Sequence, residues 1–388
     1  MSSPSPKRRR QGDKKVRVSF RRNRSVRRRR TDWTKTHREQ EERAIDAETG
    51  ERLAGKGDLS RRRTVTVRDE SAALPEGLHR GTVVAMRGLY ADVDDGQRVW
   101  PCTVRRVLRT RLVEERHPVT VGDHVLFHLD QPSEGVVQEG VIEVVLPRSG
   151  QLRRRVRRRI QTLVANVDQV LIVSSADQPT PKPHLIDRYI VAAHAGDIAP
   201  VVCMNKLDLD EGGAAKALLD RYAHLGYATL YTSAVTGAGI ESLRDTLQDK
   251  ASVIAGQSGV GKSSLLNVLQ PGLELAIGAI IEQTAKGKHT TSTATLIRLD
   301  AGGYVVDTPG IRSFDLSTIP RGEFEAYFVE FLDHVPNCKF PDCTHTHEDG
   351  CAVVEAVDSG DIHPERYESY VRLFTEPAEP EWERKLGE

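Results

Sequence analysis

Residues 256–264 read Gly256-Gln257-Ser258-Gly259-Val260-Gly261-Lys262-Ser263-Ser264. Glycines at this spacing, ahead of a Lys and a Ser, let backbone N–H groups wrap the oxygens of a polyphosphate. Lys262 then neutralises the β and γ oxygens, and the Ser263 hydroxyl is the expected Mg²⁺ ligand. A second motif, Asn205-Lys206-Leu207-Asp208, lies 57 residues ahead of Lys262. A carboxylate at Asp208 can accept both N1–H and N2–H₂ of guanine, a donor pair that adenine lacks. Asn205 is expected to read the O6/N7 edge and to brace the loop. Thr232-Ser233-Ala234 supplies a backbone N–H for the guanine oxygen. Asp307-Thr308-Pro309-Gly310 follows an apolar run. There Asp307 would hold Mg²⁺ through water and the Gly310 N–H would sense a γ-phosphate. The competing reading of that tetrapeptide is a Pro-containing turn.

The residue after Gly310 is Ile311, whose side chain can neither donate nor accept a hydrogen bond. Many GTPases place there the Gln that orients the attacking water. The substitute must come from elsewhere, and Lys286-Gly287-Lys288-His289-Thr290-Thr291-Ser292 occupies the expected position of the first switch. His289 could orient the water, and a Thr in this run should close on Mg²⁺. Further on, Cys338, Cys343, His345 and Cys351 offer three thiolates and an imidazole within 14 residues. This is a complete tetrahedral set for one structural Zn²⁺. His334 and His347 remain alternative nitrogen ligands. Cys102 and Cys203 fall within strand-like runs and read as core residues.

The elements that must position these groups follow from the patterning. Apolar runs at 167–173, 199–204, 227–231, 251–255 and 303–306 read as strands, with helices at 185–195, 213–225 and 264–269. This βαβ rhythm predicts a doubly wound α/β sheet. The guanine motif precedes the P-loop, the reverse of the usual order, so the same sheet must be entered at a different strand: a circular permutation. Ahead of it, short runs at 81–86, 89–93, 98–104, 123–127 and 140–146 predict a five-stranded barrel, of the oligonucleotide-binding (OB) or the SH3-like kind. A basic run from Arg153 to Arg159 joins barrel and sheet, either as a phosphate-holding segment or as a solvated linker.

Composition bounds the rest. The chain has 388 residues, 38% hydrophobic and 29% charged, with a formal charge of +1. That charge is split unevenly: residues 1–30 carry a net +13 and the remainder a net −12. A polycationic arm on an acidic body predicts a polyanionic partner, RNA or DNA. The expected organisation is therefore multidomain. A disordered basic arm (1–76) is followed by an OB-fold barrel (77–150), an α/β circularly permuted P-loop GTPase domain (155–317) and a small helical zinc-binding domain (318–388). Within the arm, residues 37–51 could be transiently helical. No apolar run reaches membrane-spanning length and no apolar segment follows the basic N-terminus, which predicts no membrane association and no secretory signal. Neither heptads nor exposed apolar repeats are present, which predicts a monomer.

The order of guanine motif, P-loop, His289-Thr290-Thr291, Asp307-Thr308-Pro309-Gly310 and Cys338…Cys343…His345…Cys351 behind a barrel resembles the ribosome small subunit-dependent GTPase A family (RsgA, also called YjeQ). Matching stretches include 165–173, Leu185-Ile186-Asp187-Arg188-Tyr189 and Pro341-Asp342-Cys343-Thr344-His345. The resemblance spans about residues 79–375, and nothing carries over to the arm. It implies a cytoplasmic GTPase that binds the small ribosomal subunit and its rRNA late in assembly. The subunit then stimulates hydrolysis of GTP to GDP. The family's substitute for the missing Gln would be His289, with Thr291 or the adjacent Thr290 as switch threonine. Ser292 departs from the family's third Thr but keeps the hydroxyl. Two other readings are open at this point: a GTP-regulated RNA clamp with little turnover, and an ATP-using P-loop enzyme, against which Asp208 argues.

Overall fold

The computed structural model describes residues 14–19, 62–67, 77–104 except 89, 119–130, 138–156, 159–272, 294–307, 316 and 319–376. The chain divides into two units, residues 1–75 and 76–388. In the first, β1 (Lys14–Ser19) pairs antiparallel with β2 (Arg62–Val67), setting Val16 opposite Val65. Both strands alternate β-branched residues with basic or hydroxyl ones, the composition that suits a pleated ribbon. This pairing departs from the expectation of an arm without structure. Residues 37–51 lie outside the described residues.

The second unit begins with a closed barrel. Its strands are β3 (His79–Arg87), β4 (Tyr90–Asp94), β5 (Val99–Val104), β6 (His124–Leu129) and β7 (Gly140–Val145). The order is β3-β4-β5-β7-β6, with β6 returning to β3, and β5–β7 is the one parallel pair. Alternation along each strand turns Val83, Ala91, Val93, Cys102, Val125, Phe127 and Ile142 inward, all fully buried. The five expected strands are thus present, closed into an OB-like barrel.

The described residues of the basic run lie in strands rather than in a linker. β8 (Gln151–Val156) and β9 (Arg159–Ala165) form an antiparallel hairpin. Its base is sewn to both neighbours: Gln151 N–H donates to the Gly196 carbonyl at 2.7 Å and Ala165 N–H to that of Val121 at 2.9 Å. Beside it, buried Asp123 pairs with Arg148 at 2.7 Å.

The sheet contains β10 (Gln169–Ser175), β11 (Ala199–Asn205), β12 (Ala228–Tyr231), β13 (Ala251–Ala255), β14 (Thr295–Arg298) and β15 (Tyr304–Asp307). Its order is β12-β11-β10-β13-β15-β14, parallel except for β14. The helices are α1 (Pro183–Ala195), α2 (Ala214–His224), α3 (Ile240–Leu247) and α4 (Lys262–Leu269). β10 is buried along its whole length, as a central parallel strand must be. The order of the sheet bears out the permutation: the chain enters at β10, builds outward to β12, then returns to lay β13 against the other edge of β10.

After residue 319 come short 3₁₀ turns, then α5 (Ala352–Ser359) and α6 (Pro364–Thr375). Phe328 and Phe331 pack on Tyr370 with ring centroids 5.2 and 4.9 Å apart. One apolar core runs continuously from β10 and α1 into this aromatic cluster.

Candidate functional site

In a parallel sheet, ligands gather beyond the C-terminal strand ends, at the point where strand order reverses. Here that point lies between β10 and β13. The loops after β11, β12 and β13 all open on this edge, and they carry the guanine motif, Ser233-Ala234 and the P-loop.

The P-loop backbone is built for close approach. Gly256 has φ +145°, and a Cβ there would sit 2.1 Å from the Val173 carbonyl oxygen. Gly261 has φ +91°, and a Cβ would meet Asn205 Nδ2 at 2.4 Å. Only glycine fits either place. Gly261 caps α4, whose N-terminal N–H groups face the loop. Val260 is fully buried and anchors the turn, while Ser258, Gly259, Ser263 and Ser264 are exposed at its rim. Lys262 folds back so that Nζ donates to the Gly256 and Gln257 carbonyls, both at 2.8 Å. Burial pulls its ammonium below the usual lysine range.

The guanine loop is bonded to the P-loop directly. Asn205 Nδ2 donates to the Val260 carbonyl at 2.9 Å, and its Oδ1 accepts from the Thr232 hydroxyl at 3.2 Å. Asn205 is 1% exposed. One N–H of its amide therefore braces the loop, as expected, and the second N–H of the same group is the donor that the expected reading of the O6/N7 edge requires. Lys206 takes φ +58°, which turns the chain so that Asp208 stands exposed at the edge. Leu207 N–H donates to the Thr232 carbonyl at 3.1 Å, tying this loop to the next. Buried Ser233 donates its hydroxyl to Asp208 Oδ1 at 2.5 Å, orienting that carboxylate. The Ser233 N–H is taken by the Ala238 carbonyl at 2.9 Å, which leaves the expected guanine-oxygen contact to Ala234.

One further segment joins the rim that the sequence reading missed. The loop after β10 brings Pro179 beside Gly259, holds its carbonyl with the Ser175 hydroxyl at 2.6 Å, and presents the Gln178 carbonyl to Lys206 Nζ. Nothing in Gln178-Pro179 marks it as a site in sequence, because its part is played by main-chain oxygens. Asp307 ends β15 on the same edge, opposite Thr295 of β14. Gly310, His289, Thr290 and Thr291 lie outside the described residues.

At the other end of the chain, one donor atom from each of Cys338, Cys343, His345 and Cys351 lies within 4.8 Å of every other. His345 Nδ1 is 3.5 Å from Cys338 Sγ and 3.4 Å from Cys351 Sγ. Tetrahedral zinc bonds to S and N place such atoms roughly 3.6 Å apart, so the donor set fits a zinc-sized cation. His345 Nε2 meets Glu325 Oε2 at 2.7 Å, which fixes the ring proton there and leaves Nδ1 with a lone pair for a metal. The Glu348 carboxylate, despite burial, is held well below its usual range by the Thr344 hydroxyl and by the N–H groups of Thr344 and His347. It thereby shapes the loop that carries His345. Burial pushes the Cys343 thiol up to about 12. Among the described residues, His347 is exposed and belongs to no such cluster, and neither does His334. Glu325 and Glu348 carry no spacing signal, since they act through hydrogen bonds to the ligand loop.

The comparisons agree with this anatomy. The family model described as RsgA GTPase matches residues 145–317. The chain is 42% identical over 310 residues to the small ribosomal subunit biogenesis GTPase RsgA of Azotobacter vinelandii, covering 78% of this chain and 87% of that one. The crystal structure of YjeQ from Thermotoga maritima matches with a TM-score of 0.62 at 37% identity, over 76% of this chain and 97% of that one. YloQ, described as a circularly permuted GTPase, matches with a TM-score of 0.59 at 30% identity, over 80% and 97%. With relatives at this identity over most of both lengths, and a sheet entered at β10, the chain belongs to the RsgA family of circularly permuted GTPases.

Proposed function

We propose that this protein is a Mg²⁺-dependent GTPase that binds the small ribosomal subunit, assists its late maturation, and hydrolyses GTP faster when the subunit is bound. The observation that carries the reading is the bond from Asn205 to the Val260 carbonyl. It ties the guanine-selecting loop and the phosphate loop into one frame at a single edge of the sheet.

In this reading Asp208 accepts the guanine N1–H and N2–H₂ pair, with Ser233 holding the carboxylate in place. The Ala234 N–H donates to the guanine oxygen. Lys206 and Leu207 carry the turn that presents Asp208. Gly256, Gln257, Ser258, Gly259, Val260, Gly261 and Ser264 form the anion cradle with the first turn of α4. Lys262 exchanges its two carbonyl partners for β and γ oxygens when nucleotide enters, regaining charge–charge stabilisation. Ser263, Thr291 and Asp307 are the residues that would hold Mg²⁺, which supplies charge neutralisation between the β and γ oxygens. His289 orients the attacking water in place of the Gln that Ile311 replaces, and the Gly310 N–H reports the γ-phosphate.

The Cys338–Cys343–His345–Cys351 site holds one structural Zn²⁺, closed by Glu325 behind His345. The barrel, the basic hairpin β8–β9 and the arm bind rRNA, because the positive charge of the chain is concentrated in the arm and the hairpin. Among the described residues no helix is long and apolar enough to cross a membrane. The protein acts in the cytoplasm as a monomer.

The test is GTP hydrolysis by the purified chain with and without small ribosomal subunits, with large subunits and ATP as controls. Stimulation specific to GTP and to the small subunit is expected. Turnover indifferent to the subunit would leave an RNA-binding GTPase with another client.

A further inference from the structure

Asp94 ends barrel strand β4, and it is buried at 6% exposure. Its Oδ2 accepts the Tyr304 hydroxyl at 2.9 Å, and Arg298 Nη1 lies 3.8 Å away. Arg298 Nη1 also donates to the Gly96 carbonyl at 2.6 Å. The turn they grip is stiff. Asp94 Oδ1 accepts the Gly96 N–H, and Asp95 accepts the N–H groups of Gln97 and Arg98. Trp100 Nε1 donates to Asp95 at 2.7 Å, under the Arg98 guanidinium. Burial and the neighbouring Asp94 push the Tyr304 phenol up to about 12, so it remains a donor throughout the physiological range.

Tyr304 is the first residue of β15, and Arg298 is the last of β14. The two face each other at one end of the β14–β15 hairpin, and Thr295 faces Asp307 at the other. That far end, about 10 Å away at strand rise, is where the sequence joins His289–Ser292 on one side and Gly310 on the other. β14 is the edge strand and, among the described residues, pairs with β15 alone, whereas β15 is bonded to β13 from Tyr304 to Val306; β14 can therefore tilt about β15, with Tyr304 as the fixed end, without breaking the parallel core.

We propose that the β14–β15 hairpin couples the barrel to GTP hydrolysis, with Asp94, Tyr304 and Arg298 as positioning residues. The coupling rests on the reading that the barrel engages RNA of the subunit. Engagement moves the stiff Asp94–Arg98 turn. The turn pulls on Arg298 while Tyr304, bonded to β13, holds its place, and the tilt of β14 against β15 reaches the Thr295–Asp307 end. A two-state element biased from both sites is the physical requirement for such coupling, and the coupling of binding free energies is reciprocal. A γ-phosphate must therefore also be felt at the barrel turn, with no RNA present.

Hydrogen exchange of the full chain, with Mg²⁺ and either GDP or a non-hydrolysable GTP analogue, tests this over residues 90–100. In the wild type, exchange there should differ several-fold between the two nucleotides. Tyr304→Phe should erase that difference, as should Arg298→Gln, a change at a half-exposed side chain that cannot unfold the barrel. With small subunits present, both variants should keep the unstimulated rate and lose about 5-fold or more of the stimulation, the lower bound of typical couplings. Equal exchange with both nucleotides in the wild type would overturn the proposal, as would a wild-type response in both variants. A wild type that shows the exchange response but ignores subunits would refute the ribosomal reading and leave the coupling standing.

Discussion

In the proposed reading, base identity turns on Asp208, and its carboxylate is oriented by a single hydroxyl. Ser233 holds one carboxylate oxygen at 2.5 Å while the side chain stays exposed towards the ligand edge. Asp208→Asn replaces an acceptor by a donor at that edge. It should lower GTP affinity by at least 10-fold, the cost of about 1.4 kcal/mol for removing a charge-assisted bond, and shift preference towards xanthosine nucleotides. Competition binding with GTP and XTP measures both effects. His289→Ala should leave GTP affinity unchanged and lower subunit-stimulated turnover by about 10²-fold or more, the scale set by removing an acid–base or positioning group. Single-turnover hydrolysis on subunits separates those two quantities. At the metal site, Cys343→Ser should drop bound zinc well below one per chain. It should also lower the melting temperature, because metal-binding free energy is folding free energy in such a knuckle. Zinc content by elemental analysis and a thermal melt report the two effects. Spacing is what singles these motifs out in sequence: glycines, a Lys-Ser pair, an Asn-Lys-x-Asp, and three thiolates with an imidazole each have few other uses together. Asn205 is legible only in part, because sequence offers no sign that one N–H of its amide is committed to the Val260 carbonyl.

At the scale of elements, the C-terminal helices are locked to the sheet by a buried ionic cluster. Arg366 of α6 donates to Asp187 of α1 at 2.5 Å and grips Glu330 with two bonds, at 2.6 and 3.1 Å. Tyr222 of α2 adds its hydroxyl to Asp187 at 2.8 Å, and the guanidinium lies 4.8 Å from the Phe328 ring centroid. Asp187 is fully buried and Arg366 is 5% exposed. Removing one partner strands the other's charge in the core. Arg366→Leu should therefore cost about 3–5 kcal/mol, read from denaturant unfolding of the full chain. The double variant Arg366→Leu, Asp187→Leu should recover only part of that loss, because the Glu330 carboxylate keeps its burial and has lost its partner. The stretch Leu185–Tyr189 stands out in sequence only as a likeness, and this cluster gives its physical reason. Most elements were legible from periodicity, since every parallel strand and the helices α1, α2 and α4 follow strong apolar patterns. α3 is two turns long and capped by a glycine, β14 is a four-residue edge strand, and β8–β9 hides its hairpin under six arginines. In each of those, tertiary pairing outweighs a weak local signal.

For the molecule as a whole, charge is segregated along the chain, with a net +13 in the first 30 residues. Deleting residues 1–70 should leave the unstimulated GTPase rate intact. It should also flatten the salt dependence of RNA binding, by about 0.7–0.9 in the log–log slope for each phosphate that the arm no longer neutralises. Filter binding across a salt series checks the slope. The expected division of labour rests on composition, which shifts abruptly near residue 77. Composition could not anticipate the β1–β2 pairing, in which residues more than forty positions apart meet. The permuted sheet also has a consequence in time. The chain is made from its N-terminus, so β10, β11 and β12 emerge together while the other edge of β10 waits for residues 251–255. That edge belongs to a strand with no exposed residue in the finished protein, and bare apolar edges recruit other chains. The base-selecting half of the site is thus synthesised before the half that holds phosphate. No nucleotide can steady the nascent sheet until its vulnerable edge has already been covered, which makes the interval between Asn205 and Ala255 the hazardous stretch of this protein's birth.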